Sequence, residues 1–447
     1  MSPKDPNSTD NTSDSVRPRF TLLSTTPGNR IIKQREHHGH WCIPSKLADM
    51  KFDDPVMLLA MLNAIFGTTY SFCDTPEALG NIMDYCISRG YDLGMAYGML
   101  RRFWALVSEP EIDLVSLFEL LELEDRMLRE KAISERLVIN CHIPPRRVWD
   151  LYSHRVLPFW AADILAVSHA WMYPTDCRSV MTPINGNKWP VPIPKDLRLD
   201  NLRIELLNLL IKEEMQYVWL DVLCLRQVGG KPSEESLRPK EWAIDVPTIG
   251  AIYQHCVYIT YYLNGLGRPF EENDLDDARH WCNRAWTLQE WCCRYRMISI
   301  FSTSWVALLG GITEQSPRFD IQNAQGDFVC YARADYTKRL GERMSTKDAR
   351  SSTTDIITAA ALMSKRQAER ELDKLAGLAY IVCDDVQPVF DATQDVEDAW
   401  LPFVDCLTSK ARGRLFFLFP VAGDGKYKWT PSWNQLLRGA KELDKYD

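Results

Sequence analysis

Ile164-Leu165-Ala166-Val167-Ser168-His169, Tyr217-Val218-Trp219-Leu220-Asp221-Val222 and Val257-Tyr258-Ile259-Thr260-Tyr261-Tyr262-Leu263 are three short apolar runs rich in β-branched and aromatic residues. Each reads as a buried strand. Between the first two, Leu202, Leu206, Leu209 and Leu210 recur at helical spacing. Between the second and third, Ile244, Ile249, Ile252 and Tyr253 suggest a further helix, and Arg284 to Arg294 reads as helix again. Strands that alternate with helices pair in parallel through right-handed crossovers, so the expected class is α/β with a mostly parallel sheet. Ligands of such sheets bind outside the carboxyl ends of the strands. Ser168 and Asp221 both fall at predicted strand ends.

Working outward, Pro144-Pro145 disfavours helix and marks the start of this core, set at 141–310. Upstream, residues 41–140 read as an all-helical accessory region. Leu58, Leu59, Met61, Leu62 and Ile65 share helical spacing, and Gly67 should stop that helix. Thr75-Pro76-Glu77 opens a second helix, and Ile112 to Leu123 belongs to a third with an acidic face. Residues 1–40 are rich in Ser, Thr, Asp, Asn and Pro and read as a disordered tail. Downstream, 311–447 is a C-terminal extension. Its residues 310–360 read as loops and short elements, and 365–383 turn helical and then extended.

The chain has 447 residues, 46% hydrophobic and 25% charged, which fits a folded protein of several units. No run of about 18 apolar residues occurs, so no membrane span is expected. The opening MSPKDPNSTDNTSDSV has no apolar segment and does not read as a secretory signal, which points to a cytoplasmic protein. The 13 cysteines then read as reduced, buried small hydrophobes. Net charge is -8, and 16 acidic against 8 basic residues between Asp49 and Arg136 account for all of it. No basic stripe offers a nucleic-acid footprint. Tryptophan is unusually abundant at 15 residues. Ten of them (Trp149, Trp160, Trp171, Trp189, Trp219, Trp242, Trp281, Trp286, Trp291 and Trp305) fall in about a third of the chain.

Several constellations invite a chemical reading. Ala166-Val167-Ser168-His169-Ala170 mimics a nucleophile elbow, but alanines replace the glycines and Tyr173-Pro174-Thr175-Asp176 brings turn residues where a helix is required. A strand end with local hydrogen bonds is the simpler reading. His280, Cys282, Cys292 and Cys293 lack paired chelating spacing, and adjacent cysteines on a helix point about 100° apart. His37, His38 and His40 read more simply as a polar patch than as a metal site, and no metal is expected. Gly265-Leu266-Gly267 lacks the third glycine of a dinucleotide fingerprint, and Gly229-Gly230-Lys231-Pro232 is no phosphate loop. Glu271, Glu272, Asp274, Asp276 and Asp277 read as a solvated loop. The strongest local signal is Arg284-Ala285-Trp286-Thr287-Leu288-Gln289-Glu290-Trp291. Aromatic neighbours raise a carboxylate's pKa by desolvation, whereas Arg284 and Arg294 oppose that. A core helix whose Glu290 pairs with an arginine is the plain reading of the same residues.

Taken in order, these blocks resemble the fungal heterokaryon-incompatibility (HET) domain. Leu165 to Met172 is similar to its Ser-Tyr-x-Trp-Gly strand end. Trp219 to Gln227 resembles its Trp-Ile-Asp-x-x-Cys-Ile-Asn-Gln block. Ile252-Tyr253 through Gly265 is similar to its helix and following strand, and Arg284 to Glu290 matches its Arg-x-Trp-Thr-x-Gln-Glu block throughout. Asp373 to Leu378 and Pro431-Ser432-Trp433 are weaker likenesses. The resemblance covers about 145–310 well, 365–433 weakly, and 1–140 not at all. His169, Met172 and Arg226 stand where the family has tyrosine, glycine and asparagine.

The HET domain is in turn thought to be a distant relative of TIR (Toll and interleukin receptor) domains. The resemblance therefore implies a flavodoxin-like sheet and a glutamate, Glu290, that cleaves NAD between ribose and nicotinamide. An anion there stabilises the developing oxocarbenium charge or fixes a ribose hydroxyl. Arg226 or Arg284 would hold the pyrophosphate. Ser168 and Asp221 would line the pocket, and Trp171 or Trp286 would stack on a base. NAD is then a substrate, and no cofactor is implied. The family role is self/non-self recognition and programmed cell death. The three departures keep a second expectation open: a non-enzymatic module that signals by assembly with protein partners or with itself.

Overall fold

A computed structural model describes residues 18–23, 36–73, 76–109, 111–160, 162–209, 216–268, 275–292, 298–301, 306–308, 355–383, 386–419 and 421–443. The first described elements are an antiparallel pair, β1 (Phe20–Leu23) and β2 (Glu36–Gly39). The predicted tail over 1–40 therefore contains a strand pair, while 1–17 and 24–35 lie outside the described residues. Then come helices α1 (Ser45–Ala48), α2 (Pro55–Phe66), α3 (Pro76–Ser88), α4 (Leu93–Leu100) and α5 (Leu114–Ala132). Their limits follow local chemistry. Asp54 caps the Val56 amide of α2 with Pro55 at the first helical position, and Gly67 ends the helix at φ 67°. Asp92 and Asp113 cap α4 and α5 in the same way.

The expectation of an all-helical region over 41–140 needs correction. After α5 the chain turns through Glu135, at φ 56°, into a hairpin of β3 (Ile133–Ser134) and β4 (Leu137–Val138). The helical period stops at Ala132, and the β-branched Ile133 and Val138 then face each other as cross-strand partners.

The central sheet begins after Pro144-Pro145. A hairpin of β5 (Arg147–Asp150) and β6 (Arg155–Pro158) turns through His154 at φ 57°. Next come β7 (Ile164–His169), the antiparallel side pair β8 (Cys177–Val180) and β9 (Val191–Pro194), and helix α6 (Leu199–Leu209). They are followed by β10 (Tyr217–Trp219), α7 (Asp221–Cys224), α8 (Pro232–Asp245), α9 (Ile249–His255), β11 (Tyr258–Tyr262) and α10 (Trp286–Cys292). Strands β12 (Ile298–Phe301) and β13 (Val306–Leu308) complete the sheet, whose order is β13-β12-β11-β7-β10-β5-β6.

The sheet is mixed. Strands β12, β11, β7 and β10 run parallel; at the margins β13 pairs antiparallel with β12, and β5 pairs antiparallel with both β10 and β6. Strands β5 and β6 are unexpected, because a short hairpin after a Pro-Pro pair carries no strong period. The second strand, expected to reach Val222, ends earlier, and Asp221 already opens α7. In chain order the parallel strands stand 2-1-3-4, so the winding reverses between β7 and β11.

Beyond the sheet lie α11 (Ile356–Ser364), α12 (Glu371–Val382), β14 (Gln387–Pro388), α13 (Val396–Cys406), α14 (Ser409–Leu418) and α15 (Trp433–Leu443). Part of the stretch expected as loops is thus helix α11, and Lys374 to Tyr380 is helical rather than extended. Strand β14 pairs with β4, which ties the extension to the end of the N-terminal helices. Helix α9 meets α12 so closely that a β-carbon on Gly250 would lie 2.2 Å from the Tyr380 ring.

One continuous hydrophobic core runs from Leu22 through the sheet to Ala440. Trp149, Trp189, Trp219, Trp281, Trp400 and Trp433 are all fully buried. A buried tryptophan removes about 200 Å² from water, worth about 5 kcal/mol at 25 cal/mol per Å² before ordering entropy is subtracted. Much of the tryptophan abundance is therefore structural filling. Among the described residues no helix is long and apolar enough to cross a membrane.

Candidate functional site

The carboxyl ends of β7 and β11 lie level, with Tyr261 beside Ser168 and Tyr262 beside His169. This is the reversal point of the winding, where open α/β sheets form their ligand crevice. Ser168 sits there because β7 is buried at every position and its last residues have nowhere to point but the core and the sheet end. Helix α10 follows β11 and packs against β7 and α9. That brings Glu290 onto Ser168.

Ser168 Oγ donates a hydrogen bond to Glu290 Oε2, and Trp281 Nε1 donates to Ser168 Oγ at 2.6 Å. Glu290 is 7% exposed. Burial pushes its pKa up to about 7, and the Asp221 charge adds to this against the Ser168 hydrogen bond, His169 and Arg366. Beside it, His169 Nε2 and Asp221 Oδ1 lie 2.8 Å apart. The Val222 amide donates to Asp221 Oδ1 at 2.7 Å, and Trp171 Nε1 donates to Oδ2 at 3.1 Å. The His169 and Trp171 rings stack at 5.9 Å. Burial alone would lower the His169 pKa and raise that of Asp221; each partner's charge outweighs it, so His169 is raised and Asp221 lowered. The Asp221 side chain is 21% exposed and Trp171 is 37% exposed, which makes them the solvent side of the cluster.

Three blocks distant in sequence thus supply one cluster: Ser168, His169 and Trp171 from the first, Asp221 from the second, and Glu290 from the third. Arg284 stands at the N-terminal side of α10. Its guanidinium lies 3.3 Å from Glu369, which also pairs with Arg279 at 2.5 Å. Trp286 is half-buried against the core. Arg226 is elsewhere. It pairs with Glu234 and Glu241 of α8 and lies over the Trp189 ring. Its ion pairs are thus with α8 rather than with Ser168, Asp221 or Glu290. Arg294 and Cys293 lie outside the described residues, as do Glu271, Glu272 and Asp274.

Some participants were invisible in sequence. Arg366 Nη1 donates to the Arg284 carbonyl at 2.9 Å and to Thr287 Oγ1 at 2.7 Å, fastening the end of α11 to the start of α10. Arg279 lies 4.3 Å over the Tyr173 ring and reaches the Met172 carbonyl at 3.4 Å. Neither arginine belongs to a recognisable block. Trp281 carries a signal only as one more tryptophan in a crowded run. Cys224, inside the second block, is buried and its thiol is pushed up to about 12 by that burial, so it serves packing rather than nucleophilic chemistry. Met172 covers the turn at Gly265, whose φ is 112°.

Among the described residues no three His, Cys, Asp or Glu side chains converge as metal ligands. His37 instead meets Asn208 at 2.6 Å and Cys42 at 3.3 Å. His280 meets Cys282 at 3.0 Å. Comparison of the chain with protein-family models, with curated proteins and with solved structures gives no match.

Proposed function

We propose that this chain is a heterokaryon-incompatibility-type protein of self/non-self recognition and programmed cell death, acting in the cytoplasm by cleaving NAD. The observation that carries the reading is the meeting of Ser168, Asp221 and Glu290, from three separate blocks, at the reversal point of the parallel strands. The strand order 2-1-3-4 also supports a flavodoxin-like core of the TIR kind, since that winding shares its switch point between the first and third strands.

The chemistry suits the groups present. Breaking the bond between ribose and nicotinamide sends its electron pair to the ring nitrogen and leaves oxocarbenium charge on the sugar. Asp221, held ionised and nearest solvent, opposes that charge. Glu290, with a pKa near 7, is matched to take the proton of the water that captures the sugar. Trp171 offers a ring face beside Asp221. Arg279 and Arg284, sharing Glu369, supply cationic charge for the pyrophosphate.

A second reading rests on the burial of Glu290 beneath Ser168 and Trp281. On it the cluster is a structural lock, and the protein signals by assembly with partners or with itself. One experiment separates the two. Purified protein is incubated with NAD and nicotinamide release is measured. The enzymatic reading expects release that Glu290→Gln abolishes while the variant stays folded. Absence of release, or release unchanged in the variant, leaves the assembly reading. Retained cell killing by a folded Glu290→Gln protein would support the same conclusion.

A further inference from the structure

Away from this cluster, the end of α14 and the loop after it carry an apolar surface. Phe417 is 80% exposed and Val421 70%, and Phe416 and Trp429 are exposed beside them in the chain. Together they leave roughly 400 Å² of apolar side chain in water, the size at which a patch marks an interaction site. Both parts of the patch are anchored on α15. The Phe419 ring packs on Gly439, where a β-carbon would lie 2.4 Å from it. The Gly423 amide donates to the Lys428 carbonyl at 3.1 Å and closes the loop. Gln435 accepts from the Asp424 amide at 3.0 Å and donates to the Ala422 carbonyl at 3.3 Å.

The charge here is opposite to that of the chain. Between Thr408 and Trp429 five lysines and arginines stand against one acidic residue, Asp424, whereas the whole chain carries -8. Arg414 is tied to Asp355 at 2.7 Å, while Lys410, Lys426 and Lys428 are exposed. Lys410 lies about two turns before Phe417, on the same face of α14. Gly413 lies between them, and a β-carbon there would meet nothing beyond the helix's own backbone within 4 Å, so this face is open among the described residues. Exposed apolar side chains ringed by cations fit a surface of anionic lipid.

We propose that this patch docks the chain on the surface of an anionic phospholipid bilayer. Phe417 and Val421 enter the boundary between headgroups and acyl chains, and the lysines meet the lipid charge. A second copy of the chain fits less well, because a two-fold contact would set the same cations against each other. A single-stranded nucleic acid needs open ring faces for its bases. Val421 has none, and Trp429 already stacks on Tyr427 at 6.2 Å. The site is independent of Glu290 and of the NAD reading.

Co-sedimentation of the full chain with phosphatidylcholine vesicles, with and without about 30% phosphatidylserine, tests this. Binding to the anionic vesicles should be at least about tenfold stronger than to the neutral ones. It should fall severalfold or more between about 0.1 M and 0.5 M salt. Phe417→Ser, at an exposed position, should weaken it about tenfold. Gly413→Glu should weaken it and Gly413→Lys strengthen it, each by about fivefold, while both keep the helix, since either residue forms helix better than glycine. Opposite responses at one position separate an electrostatic contact from a loss of fold. Equal binding to the two vesicles, no binding to either, or the same response to Gly413→Glu and Gly413→Lys would overturn the proposal. So would capture of a single-stranded oligonucleotide, or self-association removed by Phe417→Ser, in a protein that ignores anionic vesicles.

Discussion

Ser168 donates a hydrogen bond to Glu290 across 122 residues of sequence, from the end of a central strand to the last turn of a crossover helix. Both groups are buried, and the bond holds the carboxyl where Asp221 and His169 also act on it. The behaviour of this cluster with pH follows from that arrangement.

Glu290 has a folded pKa of about 7 against an ordinary value of 4.5. The folded state therefore binds more protons than the unfolded state between these values, and stability falls as pH rises through that window. The loss attributable to Glu290 is about 3 kcal/mol once pH exceeds 7. Glu290→Gln has no charge to bury and should be the more stable protein at pH 8, with little advantage at pH 4.5. Urea unfolding of both proteins at the two pH values measures the difference; a gap that does not change with pH would contradict the assignment.

His169 should titrate above 6.5 in the native protein, because Asp221 outweighs its burial. Its contribution to stability is full below 6.5 and is lost as pH rises through the raised value. In Asp221→Asn the burial remains and the opposing charge is gone, so the midpoint should drop below 6.5. Imidazole carbon chemical shifts, followed against pH in both proteins, give the answer directly. A midpoint that stays put in the variant would mean that Asp221 is not the controlling charge.

Arg101, at the end of α4, pairs with Asp150 of β5 at 2.9 Å, and both side chains are buried. Asp150 also accepts the Tyr152 amide at 3.0 Å. Removing one partner strands the other charge, so Asp150→Ala should cost about 3–5 kcal/mol. A double-mutant cycle with Arg101→Met should recover part of that loss, since the uncompensated guanidinium is gone. Denaturant unfolding of the four proteins tests this. It also tests whether α4 and the central sheet unfold as one unit, as their shared core implies.

Much of the central architecture was legible because strand and helix periods are local. The runs at 164–169, 217–219 and 258–262 carried their own apolar signature, and Gly67 marked the end of α2 through backbone chemistry within a few residues. The β3–β4 hairpin and the β5–β6 pair escaped because strands of two to four residues are stabilised by partners rather than by propensity. Ser168, Asp221 and Glu290 could be nominated from strand ends and an unusual tryptophan-rich block. Their mutual contact could not, and Arg226, nominated only through what the family resemblance implies, folds into a different ion cluster with Glu234 and Glu241.

The sequence by itself determined the alternation of strands and helices, the helix caps and the identity of the groups able to do chemistry, all of which depend on neighbours within a few residues. Only the tertiary structure decided which of those groups meet. Whether Glu290 faces a serine, an arginine or water depends on how β7, α10 and the C-terminal helix α11 pack, through contacts between residues 79 to 122 positions apart. Its pKa follows from the same packing, because desolvation is a property of the assembled core and not of any segment of the chain.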